Sequence, residues 1–261
     1  MMERTKSFPT LTALSLAAAL LLAVPSRVLA EEPTPGLKAG LGVEYLSRTI
    51  SWDEDAHASR FDSLLFTFQA EVEAYRGVVV EVQAGYALSN FNGLVFRALP
   101  FSVDYQAGYM GGVFMGGGLK ARLVPSPNFE VELEAALDAC LSFPHNWPIE
   151  ELAVAGTLEG KSSWLRISAG PVLWYKGLPY YVYPYLKVQY SRLWGTFTMT
   201  ETIETLEGTE NKKITGSGPV SLSLGILSEV SKVMGLRAEV TVLPRRGGVD
   251  IGAAGRLVFS F

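Results

Sequence analysis

The chain is short of the features on which most chemistry is built. It has one cysteine, Cys140, so no intramolecular disulfide can staple it. Its two histidines, His57 and His145, leave little room for imidazole chemistry. Basic charge is also scarce, with 22 Lys and Arg against 26 Asp and Glu. Losing a leader over residues 1–30 removes Arg4, Lys6, Arg27 and Glu3 and leaves 19 basic and 25 acidic residues, a net charge near −6. Binding nucleic acid requires a basic footprint for its phosphates, so nucleic acid is not an expected partner. Beyond residue 30 there is no apolar run near the roughly 20 residues that a membrane-spanning helix needs.

The one sustained apolar run is residues 11–24, about 14 residues long and too short to span. Arg4 and Lys6 precede it and Val28-Leu29-Ala30 follows it, the layout of a cleaved secretory signal. We therefore expect a signal peptide over 1–30, a periplasmic lead-in over 31–36 and one domain over 37–261. Mean hydropathy is nonetheless +0.21, high for a chain with no spanning helix after processing. An apolar average carried by alternation, not by runs, is what a β-barrel in lipid shows.

That alternation is present in ten stretches, approximately 37–45, 64–74, 78–88, 109–123, 129–139, 164–175, 180–198, 220–230, 236–242 and 249–261. In the first, Leu37, Ala39, Leu41, Val43 and Tyr45 share a face, opposite Lys38 and Glu44. In the second, Leu64, Phe66, Phe68, Ala70 and Val72 oppose Thr67, Gln69, Glu71 and Glu73. Charged residues make up 18% of the chain, yet none falls in the apolar phase of these stretches. Each would cost about 2–4 kcal/mol at a bilayer midplane, so the exclusion is what lipid contact selects. Connections alternate long and short, with long segments at 47–60, 89–108, 142–163 and 200–218. This asymmetry belongs to a barrel with tight periplasmic turns and longer external loops. Tyr45, Tyr86 and Tyr190 toward one end, with Tyr175, Phe259 and Phe261 toward the other, read as aromatic girdles.

A soluble lipocalin-like barrel also alternates, but its apolar phase faces a ligand cavity and its strands number about eight. The final stretch separates the two. Phe261, Phe259, Leu257, Gly255, Ala253, Ile251 and Val249 hold every second position, and in this it resembles the last strand of a Gram-negative outer-membrane β-barrel. The resemblance implies an all-β, up-and-down, ten-stranded transmembrane barrel, the size class of omptins and Opc-type adhesins. It implies the cell outer membrane as location, the barrel-assembly machinery as a partner that reads Phe259 and Phe261 as an insertion signal, and outer-membrane lipid or lipopolysaccharide as surroundings. An external ligand of the loops is the remaining expected partner.

The inward phase is charged. Antiparallel neighbours share a constant index sum, which sets Arg122 opposite Glu130, Lys120 opposite Glu132 and Glu229 opposite Arg237. Glu71 then faces Glu81, a like-charge pair in need of a shared cation or proton, with Lys120 as first candidate and Lys38 as second. Together with Glu134 these residues form an expected lumen charge network. It can be read as a plug of ion pairs filling a narrow bore, or as a selectivity or proton-handling element. Pro171 and Pro184 fall opposite one another by the same rule, which would weaken the seam between the sixth and seventh strands.

Catalytic patterns are sparse. Omptins set an acidic pair on one wall and Asp-x-His on the facing wall to activate water. The Asp-x-His here is Asp55-Ala56-His57, in the first long connection beside Asp53 and Glu54. His145 has Ser142 nearby and no carboxylate until Glu150. The acidic run 52–55 and the tyrosine-rich run 180–185 read as a solvated loop and a membrane-interface segment, and the glycines between 111 and 118 as room for large side chains opposite. No catalytic residue, metal or cofactor is expected. The expected role is a non-enzymatic surface or structural barrel, with a narrow cation-preferring channel as alternative and a barrel hydrolase as third.

Overall fold

In a computed structural model, the described residues are 36–52, 55–97, 103–105, 108–148, 156–179 and 181–261. The expected leader and most of the lead-in lie outside them, as does the side chain of His57. Fourteen strands follow in order: β1 Leu37–Trp52, β2 Asp55–Tyr75, β3 Val78–Asn92, β4 Leu94–Phe96, β5 Val103–Tyr105, β6 Met110–Pro125, β7 Phe129–Ser142, β8 His145–Pro148, β9 Gly156–Tyr175, β10 Val182–Ile203, β11 Leu206–Gly216, β12 Val220–Ser231, β13 Met234–Arg245 and β14 Gly248–Ser260.

Ten of these close a ring in the order β1-β2-β3-β6-β7-β9-β10-β12-β13-β14, with β14 returning to β1 through pairs from Lys38↔Ser260 to Ser47↔Ile251. Every pairing is antiparallel, as consecutive hairpins require. Alternation sets the outer face: Leu41, Val43, Phe66, Phe68, Val82, Met115, Leu137, Leu186, Leu224, Val240 and Ile251 are all exposed. An exposed apolar belt of this extent has lipid as its solvent.

The strands are longer than a membrane needs. A spanning strand takes about 9–11 residues, whereas β2, β9 and β10 have 21, 20 and 22. The excess projects as a turret beyond the belt, and here the wall closes a second time. β11 pairs with β10 from Trp194↔Thr215 to Ile203↔Leu206, and with β1 at Ile50↔Gly216 through Trp52↔Ile214. Above the tops of β12, β13 and β14 the circuit therefore runs through eight strands. The segments 47–60 and 200–218, expected as loops, are largely strand. The polarity of the wall inverts at the membrane surface, so their apolar residues point inward and a search for apolar outward positions stops there.

Two side chains pin the change from ten strands to eight. Arg48, buried to 1% exposure, donates to the carbonyls of Ser191, Ser217 and Gly218 at 2.8–3.0 Å. These are backbone acceptors left over where β11 departs. Asp250, on β14 along the same edge of β1, does the converse. It accepts the Thr49 N–H and hydroxyl, each at 2.8 Å, at the step where β14 stops pairing and β11 starts.

The expected registers hold in one hairpin and shift in three places. Glu71 and Glu81 are opposite one another. Across the β6–β7 turn, however, Lys120 faces Glu134 and Arg122 faces Glu132, because Pro125 still pairs and an irregularity at Leu123 adds a residue. Arg237 faces Leu227 and Glu229 faces Gly235, with the extra residue near Val230. Pro171 lies opposite Leu133 and Pro184 opposite Ile226, not opposite each other, because the β9–β10 turn is longer than two residues. The β9–β10 ladder is nevertheless interrupted beside Pro171, between Lys187↔Val172 and Tyr190↔Ala169.

Candidate functional site: a two-tier lumen

The inward faces form two stacked compartments of opposite chemistry. The lower tier, level with the lipid belt, is ionic. Around a cavity of about 130 Å³ stand five carboxylates, Glu44, Glu81, Glu134, Asp138 and Glu239, and five cations, Lys120, Arg166, Lys187, Arg237 and Arg256. Ligand pockets usually measure about 300–1,000 Å³, so this space is small for a substrate.

The cations bridge walls. Lys120 lies 2.7 Å from Glu71 and 2.8 Å from Glu81, so the like-charge pair shares one ammonium, and Arg256 approaches Glu81 from β14 at 3.4 Å. Arg166 on β9 contacts Glu44 on β1, directly across the ten-strand ring, and binds Asp138 at 2.8 Å. Lys187 joins Glu134 at 2.9 Å to Glu239 at 3.1 Å. Arg237 donates to the Tyr185 hydroxyl at 2.7 Å, which in turn donates to Glu239 at 2.6 Å. Glycines make the space. A Cβ on Gly116 would stand 2.4 Å from the Asp138 carboxylate, and one on Gly225 would meet the Tyr185 ring at 2.2 Å.

Toward the periplasm, Trp174 and Tyr185 stack at 4.4 Å as a floor, with the Trp174 indole donating to Glu132 at 2.7 Å. Tyr185, from the tyrosine-rich run, is thus a lumen residue. Arg122 lies 3.5 Å from Glu130 and 3.8 Å from Glu132, and Lys176 also contacts Glu130. Lys38 is exposed at the rim beside Glu71. Glu229 is exposed at the periplasmic end, away from Arg237. Phe259 pairs with Ala39 and Met234, while Phe261 is largely exposed and donates its N–H to the Leu37 carbonyl. Glu44, Asp138, Arg166, Lys187, Glu239 and Arg256 complete the network, although the index-sum rule had not singled them out. Asp138 and Arg166 are register partners on neighbouring strands β7 and β9, while the other pairs skip at least one strand, and Arg166 to Glu44 spans the bore.

The upper tier is aromatic. Phe61, Phe91, Phe114, Trp164 and Phe197 are buried in ring contacts of 4.9–6.0 Å, in the edge and tilted geometries that aromatic pairs favour. The Trp164 indole donates to Ser89 at 3.2 Å and that of Trp52 to Ser59 at 2.6 Å. β4 folds inward over this layer. Leu94 and Phe96 have no exposed surface, Phe96 reaches Phe197 on the opposite wall at 5.6 Å, and the Arg97 N–H donates to Glu210 of β11 at 2.6 Å. The expected charge network fills only the lower part of the bore. The outer half is instead a hydrophobic plug.

One carboxylate in the turret stands apart. Glu201 faces inward with no exposed surface, and neither of its oxygens has a hydrogen-bond partner among the described residues. Burial raises its pKa, and the nearby Glu210 charge adds to the shift. Glu210 behaves oppositely: burial alone would raise it, but the Arg97 N–H and Lys212 hold it below the usual carboxylate range. A carboxyl whose folded pKa is raised stabilises the fold below its unfolded value, and that stability is lost as pH rises through the folded value. Glu201→Gln is therefore expected to raise the unfolding midpoint relative to wild type at pH 8 and to lose that advantage near pH 4. Parallel midpoints across that range would contradict the assignment.

No protein-family model matches the chain, and no curated protein matches it. Among solved structures, the outer membrane protease OmpT from Escherichia coli is similar with a TM-score of 0.51 at 10% identity, over 90% of this chain and 97% of that one. Ail, the attachment invasion locus protein of Yersinia pestis, aligns at a TM-score of 0.33 and 11% identity over 87% and 99% of the two chains. An outer membrane channel from Pseudomonas putida F1 aligns at 0.38 and 12% over 91% and 99%. The likeness is one of fold, carried by the first of these: an up-and-down barrel of the Gram-negative outer membrane. The apolar belt agrees with it, and the outer membrane is where the chain resides. His145 is exposed on β8, stacked on Trp147 at 4.8 Å.

Proposed function

We propose that this chain is a closed, non-enzymatic surface barrel, whose lumen serves stability and whose turret meets an external partner. The aromatic plug carries this reading. A layer of rings from β2, β3, β6, β9 and β10, capped by Phe96, occupies the bore at the level where a solute would leave it. Around the cavity beneath it five carboxylates face five cations. Ions crossing here would need to displace both layers.

The alternative, a narrow cation-preferring channel, draws on the periplasmic vestibule. There Glu71, Glu73, Glu130 and Glu132 outnumber Arg122 and Lys176. Planar-bilayer recordings of protein extracted from outer membranes distinguish the two. The closed-barrel reading expects no unitary currents from wild type or from Glu132→Gln. Cation-selective steps in wild type, altered by Glu132→Gln, would replace it with the channel reading.

A further inference from the structure

At the external end of the turret the inner wall carries a short column of charge. On β10, Phe197, Met199, Glu201 and Ile203 alternate inward and are buried, while Thr196, Thr198, Thr200 and Thr202 alternate outward. On β11, Gly208, Glu210 and Lys212 take the inward phase, since their register partners on β10 are Glu201, Met199 and Phe197. The lower carboxylate is satisfied. Glu210 accepts the Arg97 N–H at 2.6 Å and contacts the Lys212 ammonium, which lies 4.6 Å from the Trp52 ring and 5.9 Å from that of Phe96. An aliphatic ammonium held by one carboxylate and two rings is therefore already part of this wall.

One row higher the carboxylate lacks such a partner. Glu201 is fully buried, and neither oxygen meets a donor among the described residues. Its inward neighbours are apolar or bare: Met199 and Ile203 on its own strand, Leu158 opposite on β9 and Gly208 opposite on β11. The lysines of these strands do not supply it. Lys161 of β9 and Lys213 of β11 alternate to the outer face and are exposed, and Lys212 is committed to Glu210. The final pair of the hairpin, Ile203↔Leu206, follows two residues later, so the carboxylate lies close to the external end of the bore. Burial and the Glu210 charge disfavour its ionised form until a cation joins it.

We propose that Glu201 anchors a binding site for a primary alkylammonium ligand from outside the cell. The proposal rests on the reading of the turret as the part that meets an external partner, and it names that partner's chemistry. A carboxylate with two unmet oxygens calls for N–H donors, and a primary ammonium brings three. A quaternary ammonium brings none. Calcium takes about six to eight oxygens, and among the described residues no group of three or more His, Cys, Asp or Glu side chains is placed to hold a metal. The apolar flanks, Leu158, Met199 and Ile203, suit the methylenes of the ligand.

The test is equilibrium titration, at pH 8, of the full chain extracted from outer membranes. The probes are n-pentylammonium, tetramethylammonium, n-pentanol and calcium. Wild type should bind n-pentylammonium saturably, and Glu201→Gln should weaken it at least about ten-fold, as loss of a hydrogen-bonded charge pair requires. Unfolding midpoints report whether the variant is folded. Tetramethylammonium and n-pentanol should bind wild type at least about ten-fold more weakly than n-pentylammonium, a comparison that needs no variant. Glu159→Gln with Glu207→Gln, both exposed on the outer face of the same strands, should change affinity by less than about two-fold. Absence of saturable binding to wild type would mean that Glu201 keeps a proton, and equal affinity in Glu201→Gln that the amine sits elsewhere; either overturns the site. Calcium displacing n-pentylammonium at equal concentration would overturn the ammonium assignment. Missing amine binding with silent bilayers overturns this site alone, whereas unitary currents overturn the closed barrel without touching Glu201.

Discussion

Arg166→Met, with Glu44 and Asp138 left in place, is expected to destabilise the barrel by about 3–5 kcal/mol, the range for removing one partner of a buried charge pair. Arg166 crosses the ring from β9 to β1 and also holds Asp138, whose second oxygen takes the Gln83 amide at 2.6 Å. Its side chain is 14% exposed and that of Asp138 3%, so water compensates little for its loss. Denaturant unfolding of the variant in lipid vesicles reads the effect. Adding Glu44→Gln and Asp138→Asn should recover most of it, because the penalty arises from the two carboxylates left uncompensated and not from lost packing. Equal destabilisation of single and triple variants would mean that the guanidinium acts by filling space.

Phe197→Ala is expected to cost about 3–5 kcal/mol by a different route, the cavity left by a deleted ring. Phe197 has no exposed surface and touches Phe91 and Phe96 on the wall opposite. Its loss removes the seat of β4 and leaves the ionic tier in place. Amide exchange should therefore rise at Leu94–Phe96 and in the upper half of β10, with the β13–β14 ladder below staying protected. A uniform loss of protection along the wall would show that the tiers do not unfold separately.

The contrast explains what was legible in the sequence. Period-two alternation gave ten membrane strands because lipid enforces one rule on every outward position. Above the membrane the outward side meets water and the rule inverts, as in β1, where Leu41 and Val43 point out but Leu46, Ile50 and Trp52 point in. Thr196 to Thr202 followed the same inversion, which placed β11 and the top of β10 in an expected loop. Index sums gave the Glu71–Glu81 pair across a tight turn. They failed where Leu123 and Val230 add a residue, since a bulge moves every partner beyond it. Arg166 and Lys187 were on the inward phase all along. Arg166 has Asp138 on the next strand, but its second partner, Glu44, lies on the opposite wall, and only closure of the ring brings those two together.

The central claim is that the bore is closed by a dry aromatic layer, and the chain carries its own probe. Cys140 on β7 points into that layer between Phe114 and Trp164 and is 2% exposed. A charged, membrane-impermeant thiol reagent is applied to folded protein from the external side and, after extraction, from both ends. The closed barrel predicts that Cys140 stays unlabelled until the protein is unfolded, and that Phe197→Ala admits the reagent. Rapid labelling of the folded wild-type protein would contradict the plug, and with it the proposal of a closed barrel.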